Sequence, residues 1–154
     1  MSGTYEKNLA DLGVTLPDAP TPAANYVPFV QVGNLVHVSG QLPAVEGGFI
    51  TGKLGADMST EEGAAAARAC AIGLLAQVKK ACGGDLDRLK RVVKLVGFVN
   101  STGDFADQPK VINGASDFMV AAFGDAGRHA RSAVSAASLP FGVAVEIEGI
   151  FEIE

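Results

Sequence analysis

From Val143 onward the chain alternates without a break. The odd positions are Val143, Val145, Ile147, Gly149, Phe151 and Ile153, and the even positions include Glu146, Glu148, Glu152 and Glu154. A period of two sends successive side chains to opposite faces of a strand, so this run is a β-strand with one face on a core. A carboxylate in mid-strand costs free energy if it is buried without a partner, so the other face must be polar, wet or cationic. Arg131 opens the preceding apolar-rich run, Arg131 to Ala137, and is the nearest candidate cation in sequence. Leu139-Pro140-Phe141-Gly142 joins the two runs as a hairpin-like connection, which would set Arg131 beside the Glu146 and Glu148 pair.

The remaining pattern supplies the other elements. Tyr26 to Val32 and Leu35 to Gly40 are strand-like and flank Gly33-Asn34, a type II′ hairpin signal in which Gly supplies the positive φ. Pro28 cannot donate to a ladder and assigns the first of these strands to an edge. Glu46-Gly47-Gly48 suggests a smaller hairpin running to about Gly55. Ser59 and Glu62 have the spacing of a capping box, and Gly83-Gly84 ends the helix it starts. Alanines from Ala64 to Ala67 let that helix approach a sheet closely. Lys90 to Asn100 is a strand with Val92, Val96 and Phe98 on one parity and Val93, Leu95 and Val99 on the other, so both faces need cover. A second helix starts near Asp107-Gln108-Pro109 and ends at Gly124.

Residues 1–25 read as an N-terminal extension and linker. Tyr5 to Leu12 predicts a short helix with Leu9 and Leu12 as its apolar contacts, stopped at Gly13. The three prolines of L-P-D-A-P-T-P-A-A-N then forbid regular structure. Residues 26–154 form one domain in the order β-β-α-β-α-β-β, an α+β fold with two helices on one face of a mixed sheet. Two helices cover only one face, so copies of the same chain are expected on the other, and a closed cyclic ring is the natural geometry.

Composition narrows the classes. With 154 residues and 48% hydrophobic content the chain makes one globular domain. No run is long and apolar enough to span a bilayer, and the start M-S-G-T-Y-E-K lacks the apolar stretch of a signal peptide. Cys70 and Cys82 fall in one helical pattern, about 18 Å apart along a helix axis, too far for a disulfide. Neither has metal-binding spacing, and two histidines cannot complete a zinc set. The expectation is a reduced, cytoplasmic protein without a structural metal. The net charge of −5 argues against nucleic acid as a partner, although Arg88, Lys90, Arg91 and Lys94 form one local basic cluster and Arg128, His129 and Arg131 another.

Several linked motifs in order give the chain a resemblance. These are Tyr26, the segment G-N-L-V-H-V-S-G-Q-L-P from Gly33 to Pro43, Asp104-Phe105, Asn113, the A-R-S of Ala130 to Ser132, Leu139-Pro140, and V-E-I-E from Val145 to Glu148. Over roughly residues 26–150 the chain resembles the RidA family (also YjgF, or L-PSP endoribonuclease) of reactive-intermediate imine deaminases. The resemblance implies a chorismate-mutase-like fold, a homotrimer with clefts between subunits, and no cofactor. It also implies that Arg131 binds a substrate carboxylate, that Glu146 positions the attacking water, and that Tyr26, Ser39 and Asn113 line or support the cleft. The chain departs from the family at Ala133, where a cysteine is frequent, and in its longer segments at 1–25, 46–55 and 106–112. In these it resembles a longer branch that carries the endoribonuclease label.

Each candidate has chemistry of its own. Arg131 offers a planar fork that lysine cannot reproduce, though it could equally pair with a glutamate across an interface. Glu146 could act as a general base or orient water, while Glu148, Glu152 and Glu154 fit a solvated face. Ser39 precedes Gly40 and could donate to substrate; a nucleophilic role lacks a histidine placed to activate it. Tyr26 could roof a cleft, and Asn113 could tie a helix to a loop near it. His37, in an apolar strand, reads as a core or interface histidine. The like charge of Arg128 and Arg131 should depress the pKa of His129. The leading expectation is hydrolysis of small 2-imino or enamine acids, such as 2-aminoacrylate, to 2-keto acids and ammonium. The alternatives are an endoribonuclease and a non-catalytic binder of a small carboxylate metabolite.

Overall fold

In a computed structural model that describes residues 3–22 and 24–154, the alternating C-terminal run is a strand, and it sits in the middle of the sheet. The elements are α1 (Thr4–Asp11), β1 (Phe29–Val32), β2 (Leu35–Gln41), β3 (Ala44–Val45), β4 (Gly48–Phe49), α2 (Thr60–Ala81), β5 (Leu89–Asn100), α3 (Gln108–Phe123), β6 (Ala130–Ala136) and β7 (Val145–Ile153). The main sheet runs β1-β2-β7-β5-β6, antiparallel throughout except for the parallel β5–β6 pair. This is the expected α+β architecture. The turn between β1 and β2 has positive φ at Gly33 (60°) and not at Asn34, the signature of type II′ rather than I′.

α2 and α3 cover one face. Ser59 caps α2 with both bonds of the box, its hydroxyl accepting from the Glu62 amide at 3.1 Å and its own amide donating to Glu62 Oε1 at 3.0 Å. Such a cap contributes about 1 kcal/mol. Beneath the helices lie Val145, Ile147, Phe151 and Ile153 of β7 and Val92, Leu95 and Val99 of β5, all fully buried. Burying a side chain the size of Phe151 contributes about 1.5–3 kcal/mol. The two helices meet at Gly114, where a Cβ would overlap the Ala64 carbonyl, so only glycine permits this backbone approach. α1 docks on α3 with Leu9 buried and the Tyr5 ring edge-on to Phe123 at 4.7 Å. No helix among the described residues is long and apolar enough to cross a membrane.

Three local expectations change. The hairpin at 46–55 closes after only two residues on each side, Ala44–Val45 against Gly48–Phe49. Tyr26 to Pro28 precede the ladder, which starts at Phe29. The parity of β5 also shifts, because a register irregularity between Val92 and Lys94 turns Val92 to the helix side along with Leu95 and Val99. A bulge adds one residue to the count and so flips parity. Val96 and Phe98 remain on the opposite face and are only half-buried.

That opposite face has no cover within the described residues. From edge to edge it carries Val30 and Val32 of β1, Leu35 and His37 of β2, Glu146, Glu148, Ile150 and Glu152 of β7, Val96 and Phe98 of β5, and Ser132 and Val134 of β6, as the strand registers place them. Val32 is 64% exposed and Val30 49%. His37 is therefore an exposed residue of the open face and not part of the core.

Candidate functional site

Arg131 and Glu146 do not meet through a hairpin. β6 and β7 flank β5 on opposite sides, with Arg131 level with Leu95 and Glu146 level with Phe98. Three residues along β5 and two strand spacings separate their Cα atoms by about 14 Å. Leu95 faces the helices and Phe98 faces away, so the two side chains also leave on opposite faces of the sheet. The candidates fall into two groups, one at each side of the protomer.

The first group lies at the β6 edge. Arg131 Nη1 donates to Asn113 Oδ1 at 2.8 Å and to Ser116 Oγ at 3.1 Å, and Nη2 donates to the Pro109 carbonyl at 3.4 Å. Asn113 and Ser116 are one helical turn apart on α3 and so share a face. These bonds leave the Nε donor and one Nη2 donor, the edge that a carboxylate takes side-on. No carboxylate among the described residues lies within ion-pair distance of Arg131.

His129 continues this network. Its Nδ1 is 2.6 Å from the Gly127 carbonyl, which can only accept, so the proton sits on Nδ1. Nε2 is then the acceptor, and the Ser116 hydroxyl, 2.9 Å away, donates to it. Ser116 thus accepts from Arg131 and donates to His129, a directed chain that orients the guanidinium. Burial lowers the His129 pKa first and the charge of Arg131 adds to it, while the Gly127 bond opposes both. Like charge alone was the sequence expectation; desolvation is the larger cause.

The second group lies where β2 meets β7. Glu146 is half-buried on the open face, and burial, followed by the charge of Glu148, raises its pKa above the ordinary 4.5. Gly40 packs against it so closely that a Cβ at Gly40 would overlap Glu146 Oε2. Ser39 Oγ donates to the Val27 carbonyl at 3.0 Å, and its amide donates to the Pro28 carbonyl at 2.9 Å, which folds the Tyr26 segment over β2. Tyr26, 56% exposed, Ser39 and Gly40 line a cavity of about 530 Å³ that continues toward α2. The cysteines take no part, since both are free and buried and burial raises the pKa of each thiol. Arg88 and Arg91 of the basic cluster donate to backbone carbonyls, including Cys82 and Arg128, and act as structural ties.

Sequence reasoning missed Ser116 and the positioning role of His129. The spacing from Asn113 to Ser116 was the available signal. Phe141 was also missed, being 79% exposed with φ 59° and stacked on Phe49 at 6.0 Å. A non-glycine residue in the left-handed region is rare, and nothing in L-P-F-G announces it.

Comparison with known proteins places this geometry in a family. The family model described as "YjgF/chorismate_mutase-like, putative endoribonuclease" matches residues 6–148. The chain is 53% identical over 154 residues to Protein TCP17 of Trypanosoma cruzi, covering 99% of this chain and 96% of that protein. It is similar to the crystal structure of Atu1372 from Agrobacterium tumefaciens, with 50% identity, a TM-score of 0.92, and coverage of 98% of this chain and 93% of the other. It matches E. coli TdcF with bound serine less closely, with 26% identity, a TM-score of 0.63, and coverage of 88% and 94%.

The His129 network is testable by NMR titration. The imidazole should titrate below the ordinary 6.5 and move upward, without reaching 6.5, in Arg131→Met, because the charge is removed and the burial stays. Since the folded state resists the proton, this group costs the fold stability as pH falls below 6.5. A wild-type value at or above 6.5 contradicts the network.

Proposed function

The chain belongs to the YjgF/chorismate-mutase-like family, and on that premise we propose that it hydrolyses 2-imino acids to 2-keto acids at a cleft between copies of itself. The observation that carries this reading is the guanidinium of Arg131, held by three neutral acceptors with its side-on edge unpaired. Such an edge is a preorganised carboxylate receptor. TdcF, whose structure has serine bound, is a relative that takes a ligand bearing a carboxylate and a nitrogen on the same carbon.

In the proposed ring the open sheet faces pack together, covering Val30, Val32, Leu35 and Val134. Because β6 is an edge strand, the ring would also set that edge, with Arg131, against the β2–β7 region of the next copy, where Glu146 stands. The arginine holds the substrate carboxylate. A water adds its oxygen to the imine carbon and gives a proton to the Glu146 carboxylate, whose raised pKa makes it a better base than an ordinary glutamate. The tetrahedral carbinolamine then collapses by C–N cleavage: Glu146 passes its proton to the departing nitrogen, and the hydroxyl proton, released as the C=O bond forms, ends on the ammonia to complete ammonium. Iminium acid plus water becomes keto acid plus ammonium. The substrate is intrinsically reactive, so positioning and modest acid–base help suffice.

The ribonuclease reading has less support. His37 is on the open face, whereas His129 is bonded at both nitrogens and held neutral. The face beside Glu146 is acidic, and the chain as a whole has net charge −5.

Light scattering should give a homotrimer of about 47 kDa, three copies of a 15.7 kDa chain. A stable monomer would remove the interfacial cleft.

Arg131→Lys keeps the charge but loses the fork. It should reduce kcat/KM on an imine generated in situ by an amino-acid oxidase by roughly a hundredfold or more, with assembly intact. Wild-type turnover in this variant would mean that the carboxylate anchor lies elsewhere.

Glu146→Gln should lower kcat by roughly a hundredfold to ten-thousandfold while 2-keto acid binding changes little. In the wild type the rate should fall as pH drops through the raised pKa of Glu146, above 4.5, because the protonated acid cannot accept the water's proton. Loss of keto acid binding equal to the loss of rate would make Glu146 an anchor rather than a base.

A further inference from the structure

The cavity of about 530 Å³ extends well beyond Tyr26 and Ser39, and none of the residues discussed so far explains its depth. Its far wall is α2, through Ala69, Ile72, Gly73 and Gln77, and its roof is the proline-rich segment of the N-terminal extension, through Pro17, Pro20 and Pro22. Gln77 fixes that roof. The side chain is 1% exposed and its Nε2 donates to the Pro20 carbonyl at 3.0 Å, tying the segment down across the helix. Proline needs no amide partner and has little backbone freedom to lose, so a short run of it makes a stiff wall. Phe49 and Phe141, also lining residues, stack on each other, with Phe141 held in its left-handed conformation.

We infer that this cavity is a side-chain subsite that selects 2-imino acids with a large apolar side chain, branched aliphatic or aromatic. The inference rests on the reading of Glu146 as the base. Gly40 makes the connection, since it lines the cavity and packs against Glu146 Oε2. Gly40 is thus the wall the two share, with the Glu146 carboxylate against its Cα, and a substrate whose reacting carbon sits at Glu146 can send its side chain past Ser39 and Tyr26, which also line the cavity.

The lining sets the chemistry. Among the described residues no lysine, arginine or histidine lines the cavity, and the single charged group is the carboxylate of Asp18. A second negative charge on the substrate therefore meets no cation and one like charge. The amide nitrogens of Gln41 and Gln77 are already committed to the Ser39 and Pro20 carbonyls. Besides the Thr21 hydroxyl and the buried, unpartnered Gln77 Oε1, what remains is mainly prolines, aromatics and aliphatics, a surface that rewards apolar atoms. The volume falls in the range of small-molecule sites, roughly 300–1,000 Å³, and far exceeds what the methylene of 2-aminoacrylate occupies.

The test compares imines generated in situ from alanine, leucine, phenylalanine and glutamate, using the intact protein. We expect kcat/KM for the leucine and phenylalanine imines to exceed that for the alanine imine by about tenfold or more, with glutamate lowest. Ala69→Phe, which fills the cavity from α2, should bring the leucine and phenylalanine values down to that of alanine and leave the alanine imine within about twofold. Ala69→Leu, the smaller filler, should lower phenylalanine before leucine and serves if the larger variant does not fold. A wild type indifferent to side chain, or a preference that survives both variants, overturns the subsite.

Calorimetry separates this failure from failure of the deaminase reading. If no imine is turned over, the deaminase reading falls, but 4-methyl-2-oxopentanoate should still bind about tenfold tighter than pyruvate, with the difference lost in Ala69→Phe. Equal binding of the two keto acids, or binding of neither, overturns the subsite as well.

Discussion

The β5–β7 ladder is the constraint on which the rest depends. Because β-strand side chains alternate, the same two strands must serve two environments at once. Inward, Val145, Ile147, Phe151, Leu95 and Val99 make the core under α2 and α3. Outward, one residue away from each, stand Glu146, Glu148, Val96 and Phe98. A slip of one register position would bury the carboxylates and expose the core, so the hydrophobic face fixes where the glutamates point. The candidate base therefore sits on a face dictated by packing, and its desolvation follows from the neighbours that the ladder supplies.

The same alternation explains what could be read from the sequence and what could not. Val145 to Ile153 was legible because nothing interrupts its period. α2 was legible because Ser59 and Glu62 announce its first turn and Gly83-Gly84 its last. β5 was misread at Val92 because the bulge before Lys94 leaves no mark in the residue types. The connection at Leu139 to Gly142 was misread for another reason. A short link between two strand patterns suggests a hairpin, but β5 pairs with both strands and stands between them. Strand order is a tertiary outcome, decided here by which face α3 must cover after β5. The elements that carry Ser39, Asn113, Arg131 and Glu146 were therefore legible, while the mutual placement of these residues was not.

This misplacement bears on the chemistry. Had Arg131 and Glu146 met inside one protomer, they would have formed an ion pair. The carboxylate would then have been a weaker base and the guanidinium would have lost its free edge. Holding them about 14 Å apart, on opposite faces, leaves each with the property the other would cancel. Glu146 keeps a raised pKa from burial and from Glu148. Arg131 is oriented by Asn113 and Ser116, neutral groups that fix its plane without satisfying its charge.

An interfacial site can then use both properties, provided that the substrate stands between them. In the proposed site a substrate carboxylate would neutralise the arginine, so the positive field at Glu146 would stay small and its proton affinity would be kept for an attacking water. Without substrate, a direct approach of the two groups would lower the pKa of Glu146 and switch the base off. On that proposal an anion of the right length would serve twice, once as a ligand for Arg131 and once as a spacer that preserves the base. The Ser116–His129 chain serves the same end, because a guanidinium tethered from behind by neutral acceptors is restrained from swinging across to the carboxylate. Among the described residues the tether carries no negative charge, which leaves the charge of Arg131 unneutralised within the protomer.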